Sequence, residues 1–452
     1  MLGDPASQFI SQRPLLASRQ NTVHIRCLRG NVLVFSRRLR REKGAHLFLA
    51  RAMLGEICSS RGDRAFRLPA ERGLKRRGLS HGLDRVNSCY QDERSYLRQH
   101  VPLIILVIPY LLAARLLQHF TGIGVVRSSL GQTLFRAVST GIIVVLITVV
   151  AFISVYLITR VTFRLLATGR ARSTWQDYRQ NLSPERIIGL ATVWALLTIL
   201  LDQFVAFKGS IPLLHPFSWD LPLMELDRRI HLGNHPWELI QPLVGRPGLT
   251  KALDSIYYLW FLVNGVVFYW MGWRRWDSLR AHFFTAYFLI WIVLGTGLAV
   301  WFSSAGPVYY EAVVQEPSPF RPLVDYLNQV GESRPLTALQ VQGMLWNEYV
   351  GKAGAPVEGI SAMPSVHVAI PILLTILAFR FGTWIGVLAL AYSFAILLGS
   401  VHLGWHYAVD GYVSVILVPI IWVFAGRIVR ITGGRGKEVI PEPGSAGKVR
   451  AM

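Results

Sequence analysis

The chain has 452 residues, of which 52% are hydrophobic and only 16% charged, with a mean hydropathy of +0.38. That balance excludes an ordinary soluble domain, which would carry more charge. The net charge of +21 does not point to nucleic acid, because residues 1–99 hold 20 Lys and Arg against 8 Asp and Glu, so an excess of 12 lies ahead of the first long apolar run.

In chain order, residues 1–99 read as a basic, poorly ordered cytoplasmic tail that follows the positive-inside rule and can touch anionic headgroups. It lacks the layout of a secretory signal, and Met53 is an alternative start. Cys27, Cys58 and Cys89 all fall in this tail, at a spacing that fits no metal knuckle, and no function is assigned to them. Eight apolar runs follow, at 101–118, 138–158, 187–204, 257–273, 281–302, 368–381, 384–399 and 411–426. A bilayer core needs about 20 apolar residues in a helix, and the two shorter runs reach that length once their polar ends are included. Lipid-exposed backbone must satisfy its own hydrogen bonds, so the expected fold is an all-α polytopic helix bundle of about eight spans. The domain reading is tail (1–99), two extra spans with a basic loop (100–186), a six-helix core (187–426) and a basic tail (427–452).

Arg160, Arg164, Arg170, Arg172, Arg179 and Arg186, then Arg274, Arg275 and Arg280, then Arg380, then the C-terminal tail, fall on one side of an eight-span layout. That side is expected to be cytoplasmic, with both termini on it. The loops 119–137, 205–256, 303–366 and 400–410 then lie on the extracytoplasmic side. The two longest mix Trp, Tyr and Pro with apolar residues, as short interfacial helices that cap a site would.

Two histidine-bearing stretches meet that same side. In SVHLGWHYAVDGY (400–412), His402, His406 and Asp410 are spaced by four, which on a helix puts them on one face. A carboxylate on one ring nitrogen of His406 fixes the tautomer and leaves the other nitrogen as a lone pair. In GISAMPSVHVAIP (359–371), Pro364 suits the first turn of a helix. The amides of a helix start with the Ser365 hydroxyl make an anion site, and His367 beside it can give or take a proton. The plain alternatives are polar residues of a helix end among headgroups and an N-terminal cap with a chance histidine; ionisable groups at a membrane edge tend instead to be functional. Together these parts suit phosphoryl transfer through a phosphohistidine, with His406 attacking phosphorus, Asp410 steadying its charge and His367 serving the leaving and entering oxygens. Tyr309 and Tyr310, in FSSAGPVYYE (302–311), are candidate pocket residues, or part of an aromatic interface belt.

PSVH (364–367) followed by HYAVD (406–410) resembles the type-2 phosphatidic acid phosphatase superfamily, which has Pro-Ser-x-His and a later His-x-x-x-Asp at the outer ends of a six-helix core. The wider strings are closer to its inositolphosphorylceramide-synthase-like branch, and the resemblance covers roughly 187–426. It implies His406 as nucleophile, Asp410 as its partner, His367 as general acid and Ser365 as a phosphate contact. It implies no metal and no cofactor, a phospholipid donor, and a lipid alcohol or water as acceptor. Val366 stands where the phosphatases have Gly, Ser400 where they have Arg, and no Lys-x6-Arg-Pro is found, so the positive partner of the phosphate is unassigned, with His402 a candidate. Two other readings are a zinc hydrolase built on His402-x3-His406 and a transporter using the histidines as a proton relay. Neither explains PSVH at one membrane edge.

Overall fold

The computed structural model describes residues 24–28, 31–35, 66–67, 100–122, 129–165, 183–274, 277–351 and 359–432. The chain divides into two units, Met1–Arg94 and Ser95–Met452. The first contributes a small antiparallel sheet of β1 (His24–Leu28), β2 (Asn31–Phe35) and β3 (Phe66–Arg67), in the order β2-β1-β3. Cys27 lies in β1, whereas Cys58, Cys89, most of the basic loop 159–186 and the tail beyond 432 lie outside the described residues.

All regular structure described in the second unit is helical. Its helices are α1 (His100–Thr121), α2 (Leu130–Leu165), α3 (Pro184–Leu214), α4 (Asp220–Ile230), α5 (Pro236–Val244), α6 (Pro247–Trp273), α7 (Ser278–Trp301), α8 (Tyr310–Val314), α9 (Arg321–Ser333), α10 (Thr337–Tyr349), α11 (Val366–Phe379), α12 (Thr383–His402) and α13 (Ala408–Thr432). Seven of them, α1, α2, α3, α6, α7, α12 and α13, are long and apolar enough to cross a membrane, and α11 is a shorter apolar helix. These eight take up the eight apolar runs of the sequence, and the protein is a polytopic helix bundle.

The helices extend past the apolar runs where polar residues find partners inside the bundle. In α3 the helix continues beyond residue 204 to Leu214, so the following connection is shorter than 205–256. In α6 the helix begins at Pro247, ahead of the run that starts at 257. There the Asp254 carboxylate accepts from the amides of Thr337 (3.0 Å) and Ala338 (2.9 Å) and so caps α10. The middle of α7, Ile290–Leu298, is wound as a π-helix. The two extra helices are bound to this core by polar contacts. The Tyr110 and Thr296 hydroxyls meet at 2.8 Å, joining α1 to α7. Thr133 Oγ1 donates to Asp202 (2.8 Å) beside the Arg136–Asp202 ion pair, joining α2 to α3.

Candidate active site

The second histidine stretch is not one helix. α12 ends at His402, residues 403–407 form a turn with Gly404 at φ +73°, and α13 starts at Ala408. His402 therefore does not share a helical face with His406 and Asp410, because the chain reverses between them. His402 is fully buried and its Nε2 lies 2.9 Å from the Thr250 hydroxyl, which in turn meets Tyr326 (2.7 Å). It does not line the cavity described below.

His406 sits in the turn, with Nδ1 3.3 Å from Asp410 Oδ2. The same oxygen accepts from the Tyr407 amide (3.0 Å), so carboxylate and ring are fixed together. Asp410 is wholly buried and His406 is 7% exposed. A carboxylate on Nδ1 favours the tautomer with its proton towards Asp410 and a lone pair on Nε2.

The first stretch also departs from expectation. Pro364 precedes the helix rather than entering its first turn; Ser365 is the N-cap and its Oγ accepts from the Val368 amide (3.4 Å). The Ser365 carbonyl accepts from Ser414 Oγ (2.9 Å) and its amide donates to the Asp410 carbonyl (3.3 Å), which binds the start of α11 to the start of α13. Ser365 is buried and lies behind the cavity wall, where it acts as a cap. One residue into α11, His367 is half-buried and stands among aromatic rings of α6, parallel to Tyr257 at 4.9 Å and 4.6 Å from Trp260.

His367 and His406 open on one cavity of about 310 Å³. Its walls are mostly apolar and aromatic, from Phe204 on α3, Trp260 and Phe261 on α6, Trp291 and Gly295 on α7, and Val341 and Leu345 on α10. That size and lining suit a ligand that is largely apolar with a small polar part. Tyr309 lines the cavity, with its hydroxyl donating to the Gln342 carbonyl (2.9 Å). Tyr310 does not; it packs with Phe320 and Tyr407 in a separate cluster.

Lys208 on α3 also lines the cavity, with His367 and His406. Lys208 is not among the candidate residues expected from the sequence. The signal was present in KGSIPLLHP (208–216), where Lys208 is followed at the seventh position by His215 and then Pro216. The spacing is that of a Lys-x6-Arg-Pro pattern, but His215 stands where that pattern has Arg. Among the described residues, no three or more His, Cys, Asp or Glu side chains converge so as to hold a metal ion.

Two histidines and a lysine thus line one mostly apolar cavity of a polytopic helix bundle, with the Asp410 carboxylate held against one of the histidines. Residues 221–424 match the family model described as PAP2 superfamily, which supports the type-2 phosphatidic acid phosphatase superfamily and, with it, a lipid phosphatase- or phosphotransferase-type activity. The matched segment contains both histidine motifs and begins after α3 and Lys208. No curated protein and no solved structure matches the chain.

Proposed function

We propose that the protein moves a phosphorylated head group from a phospholipid to a lipid alcohol through a phosphohistidine at His406. The observation that carries this reading is the Asp410-held His406 opening, with His367 and Lys208, on a single aromatic-walled cavity. His406 Nε2 attacks phosphorus, an N–P bond forms, and the bond from phosphorus to the leaving lipid oxygen breaks as His367 supplies that oxygen with a proton. In the second step His367 takes the proton of the acceptor hydroxyl, whose oxygen attacks phosphorus and releases His406. The Lys208 ammonium balances the non-bridging oxygens, where charge gathers in a phosphoryl transition state. An apolar cavity favours a lipid alcohol over water as acceptor. The strings GISAMPSVHVA and SVHLGWHYAVDGY favour phosphoinositol as the transferred group and ceramide as the acceptor. The distribution of Lys and Arg supports an extracytoplasmic cavity and cytoplasmic termini.

The test uses the full chain in detergent with a chelator present, given phosphatidylinositol with and without ceramide, and products read by mass spectrometry. A phosphorylated sphingolipid that forms with the wild type and is absent with His406→Ala is the expected result. Dephosphorylated lipid alone, with ceramide supplied, would assign a phosphatase. Turnover only after zinc is restored would overturn the metal-independent mechanism.

A further inference from the structure

α4 carries two buried carboxylates that the mechanism does not use, Asp220 and Asp227. They lie two turns apart and, with Leu223, form the buried face of that helix. Asp220 is 1% exposed and accepts from four donors: Ser304 Oγ (3.0 Å), the amides of Ala305 (2.9 Å) and Gly306 (2.8 Å), and the Tyr407 hydroxyl (2.9 Å). Asp227 accepts from the amides of Ala408 (2.7 Å) and Val409 (2.8 Å), the first of α13. The residues held in this way are next to the reacting groups. Tyr407 follows His406, and its amide donates to the same Asp410 oxygen that meets His406.

The loop that Asp220 grips touches both histidine motifs. The Ser304 carbonyl accepts from the Ala362 amide (2.9 Å), just ahead of Pro364–His367, and the Val308 amide donates to the Gly404 carbonyl (3.1 Å), just ahead of His406. Gly306, at φ +98°, comes so close to Trp405 that a Cβ there would lie 2.6 Å from the Trp405 carbonyl oxygen. Backbone thus presses on backbone beside the nucleophile.

We propose that Asp220 is a positioning residue for the reaction, locking the 303–306 loop and Tyr407 to one carboxylate so that the His406–Asp410 pair and the wall carrying His367 keep a fixed separation, with Asp227 securing the start of α13 behind them. A rigid support of this kind matters because displacing a reacting group by about 1 Å can cost on the order of 100-fold in rate. The inference rests on His406 being the nucleophile of the proposed reaction.

The experiment measures kcat, KM and thermal midpoint for Tyr407→Phe, Asp220→Asn, their double variant and His406→Ala in the full chain. Tyr407→Phe removes one oxygen and one hydrogen bond to a carboxylate, so the midpoint should fall modestly, while kcat, assayed well below that midpoint, should fall about tenfold with KM unchanged. The double variant should be no slower than the slower single one, because both remove the same link. Should Asp220→Asn fail to fold, the isosteric Tyr407→Phe decides alone. Wild-type kcat in Tyr407→Phe, or losses that multiply in the double variant, would overturn the inference while leaving an inactive His406→Ala, and hence the proposed function, intact. An active His406→Ala would overturn both.

Discussion

An ammonium group inside an apolar helix is expensive to bury unless it has a task or a partner, and Lys208 sits at the one stretch of α3 that borders the cavity. Its neighbour across the chain explains how it is held in place. Gly359 adopts φ +79°, and a Cβ there would lie 2.4 Å from the Lys208 carbonyl carbon, so the backbone leading into the first histidine motif lies directly on the backbone of Lys208 and Gly209. The lysine and His367 are thereby carried by two segments in contact. If Lys208 balances the phosphate, Lys208→Met should lower kcat/KM by roughly 100-fold or more, the scale of removing one charged donor from a phosphoryl oxygen. Lys208→Arg should recover part of that, since charge is kept and reach changes. Activity of Lys208→Met within about threefold of the wild type, measured on the same lipid donor, would remove Lys208 from the mechanism. The nearness of His406 to Asp410 was readable from the sequence because their spacing is a local property, and the structure sets His367 on the same cavity as His406. The departure of His402 from them, and the use of the Ser365 hydroxyl as a helix cap, depend on where a helix stops, and the glycine at 404 that turns the chain is a weak signal among apolar neighbours.

Helix identity was legible for all eight apolar runs, since about 20 apolar residues in succession have few other uses. Helix ends were less so. The residues that extend α3 and α6 past their apolar runs, Lys208, Lys251 and Asp254 among them, look like loop residues until tertiary partners are known. Asp254 illustrates this: it is wholly buried, pairs with Lys251 (3.0 Å) and caps α10 through two amides. α10 supplies Val341 and Leu345 to the cavity and is further tied down by Gln342 Nε2, which donates to the Leu403 carbonyl (2.8 Å). Removing the cap with Asp254→Ala leaves the buried Ala338 amide without its acceptor, at a cost of about 1–3 kcal/mol, and the part-buried Thr337 amide at a smaller one. The expected outcome is a lower thermal midpoint with KM for the lipid raised more than kcat is lowered, because α10 is a wall of the cavity and carries none of the reacting groups. A KM equal to that of the wild type would show that α10 does not shape the substrate space.

At the scale of the whole molecule, polar stitches at one end of the bundle make the fold sensitive to pH. Burial raises the Asp220 carboxyl above its ordinary range, against the pull of its four donors. Burial pushes the Asp227 carboxyl up to about 7, opposed by the Ala408 and Val409 amides; the nearby Asp410 charge adds to the rise and His231 opposes it. The sign follows from which state holds the proton. The folded chain keeps the Asp227 proton to about pH 7, while an unfolded chain releases it near the ordinary 3.8. Between those values the folded state binds more protons, so this group's contribution is fully present at acid pH and is lost as pH rises through about 7. Asn at this position has no proton to lose and still offers one oxygen to the amides of α13. The difference in thermal midpoint between wild type and Asp227→Asn, taken at about pH 4, 6 and 8 in one detergent, should therefore move against the wild type as pH rises, whatever other groups titrate in both proteins. Parallel curves would mean that Asp227 ionises at an ordinary pH, with the two amides outweighing its burial. The clamp on α13 would then be a full carboxylate throughout the range in which the protein works.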